Sequence, residues 1–302
     1  MTRVLLAGAS GFVGGSVLRA LLDRGHEVDA VARRGGQARE RVRWHATDLL
    51  EPGAAEALVT ELEPELMLDL AWYAEHGRFW DSTENLRWVD ATLRLAHAFT
   101  EARGRRALIA GSCAEYAWGP ALLRENDSAL EPSTLYGAAK HATHVVAAAL
   151  AAQGHSELVW GRLFFLYGPG EHPDRLVAAV ARSLIAGERV ATSEGAQVRD
   201  FMHVDDAARA LVELLESPVT GAVNVASGLG VSVREVVTMI GELTAGLDHV
   251  DFGAIATRAG EPERLVADVA RLREEVGFTP AIALRDGLDA TVRWWREQPA
   301  LP

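Results

Sequence analysis

Three glycines near the amino terminus constrain the fold of this chain more than any other feature. Gly8, Gly11 and Gly14 follow the apolar run Val4–Ala7, which is too short for most helices and is typical of a buried strand. Apolar residues then recur at helical spacing over residues 12–22. The pattern predicts a strand, a glycine turn and a helix in immediate succession.

Each glycine of this turn has a physical purpose. Gly8 permits the tight turn, Gly11 lets the backbone approach a phosphate, and Gly14 lets the helix pack on the strand. Free N–H groups at the helix N-terminus then meet the anion. We predict a pyrophosphate site made by Gly8, Ser10, Gly11, Phe12, Val13 and Gly14. The glycines are spaced three and three, unlike the two-and-three dinucleotide fingerprint, so an ordinary turn is the alternative.

Strand and helix patterns alternate along the first half of the chain. The predicted strands cover residues 3–8, 27–32, 42–45, 66–70, 106–111 and 157–162, and the predicted helices cover 12–24, 53–63, 83–103 and 133–153. This alternation predicts an α/β fold with a doubly wound, mostly parallel, Rossmann-like sheet. After residue 162 the pattern is irregular. We expect a dinucleotide-binding domain at 1–162 and a smaller, mainly substrate-binding lobe at 163–302, from which about 199–225 returns to the main sheet.

Tyr136 and Lys140 form the second informative pattern. Residues four apart lie about one turn apart on a helix, so both side chains project from one face. A nearby ammonium lowers the pKa of a phenol toward the range useful for acid–base catalysis. Such pairs are common on solvated helices, but the upstream phosphate-binding turn favours a nicotinamide-dependent redox site.

These features, in this order, resemble the extended short-chain dehydrogenase/reductases, a family of sugar-nucleotide epimerases, dehydratases and ketoreductases. Thr47–Leu49 resembles the turn that meets adenine, and Leu70–Ala71 resembles the strand end beneath the nicotinamide ribose. Gly111–Tyr116 resembles the active-site strand. The resemblance covers roughly residues 4–268 and implies a catalytic set of Ser112, Tyr136 and Lys140. It also implies cofactor contacts from Asp48, Leu49, Leu70 and Ala71, and from Tyr136 and Lys140.

The family's chemistry assigns a role to each of these residues by resemblance. Tyr136 would move a proton to or from the reacting sugar oxygen, and Ser112 would hydrogen-bond the same oxygen. Lys140 would hold the nicotinamide ribose and lower the tyrosine pKa. Arg199 and Arg258 match the family's arginines that meet the substrate diphosphate, where bidentate guanidinium contacts suit phosphate. Surface ion pairs are the alternative for both arginines.

The end of the second predicted strand bears on cofactor choice. NAD-specific sites usually carry an acid there to bind the ribose 2′-hydroxyl. Here Ala32 takes that place and Arg33 and Arg34 follow, which suits a 2′-phosphate. We predict NADP(H), with a solvated basic loop as the alternative. Asp29 lies in mid-strand and is not expected to substitute for the missing acid.

Departures from the family narrow the expected chemistry. Family dehydratases and decarboxylases carry an acid just after the catalytic serine or threonine, where this chain has Cys113 and Ala114, so neither reaction is expected. The resemblance implies that Cys113 and Ala114 contact the substrate. Phe165 stands where many epimerases have a substrate-binding asparagine. Trp88 replaces another asparagine, for which Asn85 is a candidate substitute. The pocket mouth is expected to be aromatic and to suit a deoxyhexose, with packing as the alternative role for Trp72, Tyr73, Phe79, Trp80 and Trp118.

Composition agrees with a cytoplasmic enzyme. The net charge of −12 argues against nucleic-acid binding, and no stretch approaches a membrane span. The amino terminus lacks a signal-peptide pattern, and Cys113 is the only cysteine, which excludes an internal disulfide. No metal site is expected. The alanine-rich helix around residues 147–152 and the preceding long helix resemble the family's four-helix dimer seam, so we expect a homodimer, with a place in the core as the alternative role for these alanines.

Together these features predict a NADPH-dependent ketoreductase that acts on a nucleotide-linked 4-keto-deoxysugar. A nucleotide-sugar epimerase is the alternative, since it uses the same residues but returns the hydride to its own substrate. A non-catalytic nucleotide-binding sensor on the same fold is the alternative from another class, although the complete set of Ser112, Tyr136 and Lys140 argues against it.

Overall fold

A computed structural model describes residues 2–37, 39–119, 121–154, 156–258 and 260–299. Its main feature is a seven-stranded parallel sheet with the strand order β10-β6-β5-β4-β1-β2-β3. The strands are β1 (Arg3–Ala7), β2 (Glu27–Ala32), β3 (Val42–Ala46), β4 (Leu66–Asp69), β5 (Arg106–Ser112), β6 (Glu157–Leu163) and β10 (Gly221–Val225). The predicted α/β fold with a doubly wound parallel sheet is therefore confirmed.

Helices cover both faces of this sheet. They are α1 (Phe12–Asp23), α2 (Ala54–Leu62), α3 (Glu84–Glu101), α4 (Leu135–Gln153) and α6 (Val204–Glu216). In β1, Val4 and Leu6 belong to the core that includes residues of α1 and α6, whereas Leu5 and Ala7 belong to the core that includes residues of α2 and α3. Alternate side chains of a strand face opposite sides, so a strand buried on both faces must be apolar throughout.

The remaining elements form a smaller lobe with its own core. A four-stranded sheet contains β7 (Phe165–Tyr167), β9 (Val198–His203), β11 (Gly230–Ser232) and β13 (Arg264–Leu265), and a two-stranded sheet pairs β8 (Val190–Thr192) with β12 (Val250–Phe252). The lobe's helices are α5 (Leu176–Ile185), α7 (Val233–Thr244) and α8 (Leu284–Glu297). Within residues 199–225, β9 joins the lobe's sheet, whereas α6 packs on α1 and β10 pairs with β6.

No helix within the described ranges is long and apolar enough to cross a membrane.

Candidate active site

The glycine turn between β1 and α1 is closely packed. Gly8 has a φ of +78°, and a Cβ there would lie 2.9 Å from the backbone nitrogen of Ala71. A Cβ at Gly14 would overlap the carbonyl oxygen of Gly8. Gly11 is the N-cap of α1 and contributes no side chain, so the first-turn amides remain accessible to an anion.

A cavity of about 410 Å³ lies above this turn. Most of the predicted cofactor residues line it, namely Gly8, Ser10, Gly11, Phe12, Val13, Gly14, Arg33, Leu49, Leu70 and Ala71. Trp72, expected beside the substrate, also lines this cavity, as do Trp88 and Arg175. Four predicted cofactor residues do not line it: Arg34 is exposed, the Asp48 carboxylate accepts a hydrogen bond from the Leu50 N–H at 3.0 Å, and Tyr136 and Lys140 lie outside the lining. We call this the cofactor cavity.

The end of β2, which bears on the choice of cofactor, is followed by two arginines and carries no acid. Arg33 and Arg34 are exposed just beyond β2, while Ala32 is buried. Asp29 is buried in mid-strand, where a carboxylate oxygen lies 2.8 Å from Nε2 of His45. Asp29 is therefore committed to an internal pair rather than to the cofactor cavity.

The three candidate catalytic residues are brought together by the packing of α4 against the end of β5. Thr134 caps α4 by accepting a hydrogen bond from the Gly137 N–H at 3.1 Å. A Cβ at Gly137 would overlap the carbonyl oxygen of Ala114, so glycine is needed where the helix meets the turn after Ser112. Tyr136 and Lys140 follow on this helix, and both lie next to the Ser112 segment.

The pKa of Tyr136 moves in the direction opposite to the sequence prediction. Burial raises it to about 12, and the hydroxyl of Ser112 opposes this only in part. Lys140 is directed elsewhere: its Nζ donates to the carbonyl oxygen of Ala110 at 2.8 Å and lies 3.7 Å from the ring centroid of Trp72. The prediction that Lys140 lowers the pKa of Tyr136 was wrong, because burial of the phenol sets the direction of the shift and Lys140 is not among the groups that change it.

Lys140 faces a buried acid that the sequence analysis did not identify. Asp69 ends β4, is 3% exposed, and accepts a hydrogen bond from the Ala71 N–H at 2.9 Å. Burial raises the pKa of Asp69 to about 6 and lowers that of Lys140 to about 8, while the attraction between the two opposes both shifts. The sequence offers one signal for the Asp69–Lys140 pair: Lys140 is the only lysine of the chain.

Aromatic side chains enclose Tyr136. The rings of Trp72, Phe79 and Trp80 contact it edge-on at centroid distances of 6.5, 4.9 and 5.8 Å. Asn85 holds this wall together, because its side chain accepts from Nε1 of Trp72 at 2.8 Å and donates to the carbonyl oxygen of Phe79 at 2.7 Å. Its amide is thus used inside the protein, and the prediction that Asn85 substitutes for an active-site asparagine was wrong.

A second cavity of about 240 Å³ lies in the smaller lobe. Phe165, Phe201 and Arg199 line it, and Nη2 of Arg199 is 2.8 Å from a carboxylate oxygen of Glu261. Arg175 lines both this cavity and the cofactor cavity, and was missed by the sequence analysis. We call this the lobe cavity.

The remaining predicted substrate residues differ in exposure. Cys113 and Ala114 are buried beside Ser112. Burial raises the pKa of Cys113 to about 12, so its thiol keeps its proton at neutral pH and is a poor nucleophile. Arg258 is exposed and lines neither the cofactor cavity nor the lobe cavity.

Comparison with known proteins agrees with this architecture. The model of the NAD dependent epimerase/dehydratase family matches residues 4–226. A dTDP-glucose 4,6-dehydratase of Streptomyces griseus is 28% identical, with 98% of this chain and 94% of the relative covered. A dTDP-4-dehydro-6-deoxy-D-allose reductase of Streptomyces bikiniensis is 27% identical, with 97% and 96% covered. The solved structure of MoeE5 in complex with UDP-glucuronic acid and NAD superposes with a TM-score of 0.86 at 30% identity, covering 97% of this chain and 99% of MoeE5.

Proposed function

The chain belongs to the NAD dependent epimerase/dehydratase family, a family of sugar-nucleotide-modifying enzymes, and from this we propose that it reduces a nucleotide-linked 4-keto-deoxysugar with NADPH. The observation that carries the proposal is the end of β2, where the exposed Arg33 lines the cofactor cavity and Asp29 is held away in mid-strand. A 2′-phosphate would find cations there and no repelling carboxylate.

The residues around the turn fit a nicotinamide dinucleotide. A Cβ at Gly8 or Gly14 would collide with neighbouring backbone, so the tight turn needs glycine at both positions, and the first-turn amides of α1 that it presents suit a pyrophosphate. When bound, the nicotinamide supplies the hydride. In this proposal Arg33 and Arg34 hold the 2′-phosphate and Lys140 holds the ribose.

Protonation favours a reductive role for Tyr136. A phenol with a pKa near 12 keeps its proton at neutral pH, so it is a general acid that can protonate the carbonyl oxygen as that oxygen gains charge. Ser112 would hydrogen-bond the same oxygen and orient it. Catalysis by proton abstraction from a substrate hydroxyl would need the tyrosinate, which burial disfavours.

Dehydration is disfavoured by the residues that follow Ser112. Cys113 and Ala114 provide no acid, and the next residue, Glu115, is paired with Arg162 through a 2.9 Å contact between its carboxylate and Nε. An enzyme without a free acid here would receive its keto sugar from a separate dehydratase. The relative named as a dTDP-4-dehydro-6-deoxy-D-allose reductase supports this proposal.

The lobe cavity is the proposed site for the nucleotide diphosphate. Arg199 is the candidate phosphate ligand, with Arg258 as a second cation that could approach from the surface. Phe165 and the wall of Trp72, Phe79 and Trp80 would contact a sugar with few hydroxyl groups. Residues 163–302 would then be mainly the substrate-binding lobe, with α6 and β10 as parts of the main domain.

We also propose a homodimer through α3 and α4, which pack against each other. Three large apolar side chains on these helices are exposed: Leu86 at 57%, Val145 at 54% and Val146 at 49%. Light scattering should give twice the chain mass for the native protein. A Val146→Glu variant should shift toward the monomer, and a wild-type monomer would contradict this proposal.

The alternative proposal is a nucleotide-sugar epimerase. It is supported by the likeness to a UDP-glucose 4-epimerase of Thermus thermophilus solved with NAD, which has a TM-score of 0.85 at 26% identity and covers 98% of this chain and 99% of the epimerase. Such an enzyme would use oxidised cofactor and return the hydride to its own substrate.

One assay separates the two proposals. The protein is mixed with a nucleotide-linked 4-keto-6-deoxyhexose and NADPH, and the absorbance of the reduced nicotinamide should fall in proportion to product. Deuteride from labelled cofactor should appear on the former carbonyl carbon. Interconversion of a fully hydroxylated nucleotide hexose and its epimer, with substoichiometric oxidised cofactor, would instead establish the epimerase.

A further inference from the structure

We propose that Glu115 is a positioning residue of the candidate active site: its buried carboxylate holds the backbone of Ser112 and thereby directs the serine hydroxyl toward the substrate oxygen. This inference rests on the proposed function, which makes Ser112 and Tyr136 the groups that touch that oxygen. Arg162 serves as the partner that keeps the Glu115 charge tolerable in the interior.

The carboxylate of Glu115 is completely buried and every contact it makes is at hydrogen-bond distance. Its Oε1 accepts from the Ser112 N–H at 2.7 Å and from Nε1 of Trp160 at 2.9 Å. Its Oε2 accepts from Nε of Arg162 at 2.9 Å. Hydrogen bonds to a charged group are shorter and stronger than neutral ones, so Ser112 is anchored by a strong contact.

A glycine makes this arrangement possible. Gly111 precedes Ser112 on β5, and a Cβ there would overlap Nε1 of Trp160 and lie 2.6 Å from Oε1 of Glu115. The backbone of β5 therefore approaches the carboxylate as closely as only glycine allows. The hydroxyl of Ser112 in turn accepts from the Ala114 N–H at 3.2 Å, so both ends of the serine are fixed by the same turn.

Arg162 connects the carboxylate to the rest of the sheet. Its guanidinium is buried, and Nη1 donates to the hydroxyl of Tyr116 at 3.0 Å. That hydroxyl donates to the side-chain oxygen of Asn224 on β10 at 2.8 Å. A buried ion pair with further hydrogen bonds of this kind holds its members in one geometry, and removing one partner is costly.

The charge of Glu115 also reaches both titrating candidates of the site. Burial is the main cause of the raised pKa of Tyr136, and Cys113 and Glu115 raise it further, against the Ser112 hydroxyl and the Arg175 charge. Glu115 raises the pKa of Lys140 together with Asp69, against desolvation. Both effects favour the protonated forms, which are the forms that a reductive role requires.

A metal ion is a poorer explanation of the same cluster. Ligand atoms of Glu115, His141 and His144 lie within 4.8 Å of one another. However, both oxygens of Glu115 already accept hydrogen bonds, and Nη2 of Arg162 is 3.5 Å from Nδ1 of His144. The guanidinium of Arg162 is therefore the cation of this cluster, and its positive charge would repel a metal ion.

The test compares two substitutions of Glu115 with a matched control. Glu115→Gln removes the charge but keeps an acceptor for the Ser112 N–H, whereas Glu115→Met removes both. The control is Glu157→Gln: Glu157 on β6 is half-exposed and pairs with the buried Arg106 of β5 at 2.6 Å, at the ends of these strands opposite to Ser112 and Arg162. If the single variants fail to fold, combining them with Arg162→Gln removes the unpaired buried charge.

Two measurements need neither substrate nor cofactor. Lys140, as the only lysine, gives a single resonance in protein labelled at lysine Cε, and its titration midpoint should fall in both Glu115 variants but not in the control. Hydrogen exchange at the Ser112 amide should accelerate about ten- to hundredfold in Glu115→Met, the equivalent of one lost hydrogen bond to a charged group. Unchanged exchange and an unchanged midpoint would overturn the proposal.

The third measurement compares the change in kcat with the change in KM. With the 4-keto sugar and NADPH, kcat should fall about ten- to hundredfold in Glu115→Met and less in Glu115→Gln, while KM changes by less than about threefold, because orientation and not binding is lost. Equal losses in the Glu157→Gln control would show a general effect on folding and contradict positioning. If the wild type reduces no keto sugar, the proposed function fails, and the Lys140 and Ser112 measurements still decide the role of Glu115.

Discussion

Glu171 is a buried acid whose burial should lower the free energy of unfolding at neutral and basic pH. It lines the lobe cavity and is 4% exposed, with Oε1 2.9 Å from Nε of Arg175. Its Oε2 has no hydrogen-bond partner among the residues that the structure describes. Burial raises the pKa of Glu171 from 4.5 to about 7, in spite of the attraction to Arg175.

The raised pKa of Glu171 sets both the sign and the size of its contribution to the free energy of unfolding. Between its unfolded and folded pKa values, Glu171 keeps its proton in the native state and loses it in the unfolded state, so the free energy of unfolding falls as pH rises. A rise of 2.5 in pKa, from 4.5 to about 7, corresponds to about 3 kcal/mol. The cost is below about 1 kcal/mol at pH 5 and close to its full value at pH 8.

Glu171→Gln should therefore stabilise the protein at pH 8 and change it little at pH 5. For a chain of this length, about 3 kcal/mol corresponds to roughly 6 °C in melting temperature, which scanning calorimetry resolves. The control is Glu188→Gln, because Glu188 is exposed and surface substitutions of this kind change the free energy of unfolding by less than about 0.5 kcal/mol. A difference between Glu171→Gln and wild type that is the same at both pH values would refute the reasoning.

Three further predictions concern the candidate site. Replacing Arg33 and Arg34 together by serine should weaken NADPH binding about ten- to hundredfold and leave NADH binding nearly unchanged, because only NADPH loses charge-assisted hydrogen bonds. Fluorescence titrations measure both affinities, and a wild type that prefers NADH would contradict this prediction. Tyr136→Phe should lower kcat about 10²- to 10⁴-fold with an unchanged Kd for NADPH, and near-normal turnover would show that another residue is the acid. Asp69→Asn removes the negative charge that favours protonated Lys140. The single lysine resonance should therefore titrate below the wild-type midpoint, which is expected at about 8. An unchanged midpoint would rule out the pairing of Asp69 with Lys140.

Local sequence patterns predicted six of the seven strands of the main sheet and the location of the glycine turn. Both follow from local physics: β1 is apolar on both faces, and Gly8 and Gly14 stand where any Cβ would collide. The four-residue spacing of Tyr136 and Lys140 likewise predicts a shared helix face, and both lie on α4. These predictions need only residues that are near one another in the chain.

Tertiary structure decided the electrostatics of the site. The aromatic wall around Tyr136 comes from residues 72–80, and burial of the phenol raises its pKa, where the four-residue spacing had suggested that Lys140 would lower it. Glu115 is paired with Arg162, which is 47 residues away, so its charge cannot be assigned from the motif alone. Desolvation and ion pairing depend on which distant segments cover a group, and a linear sequence does not specify those segments.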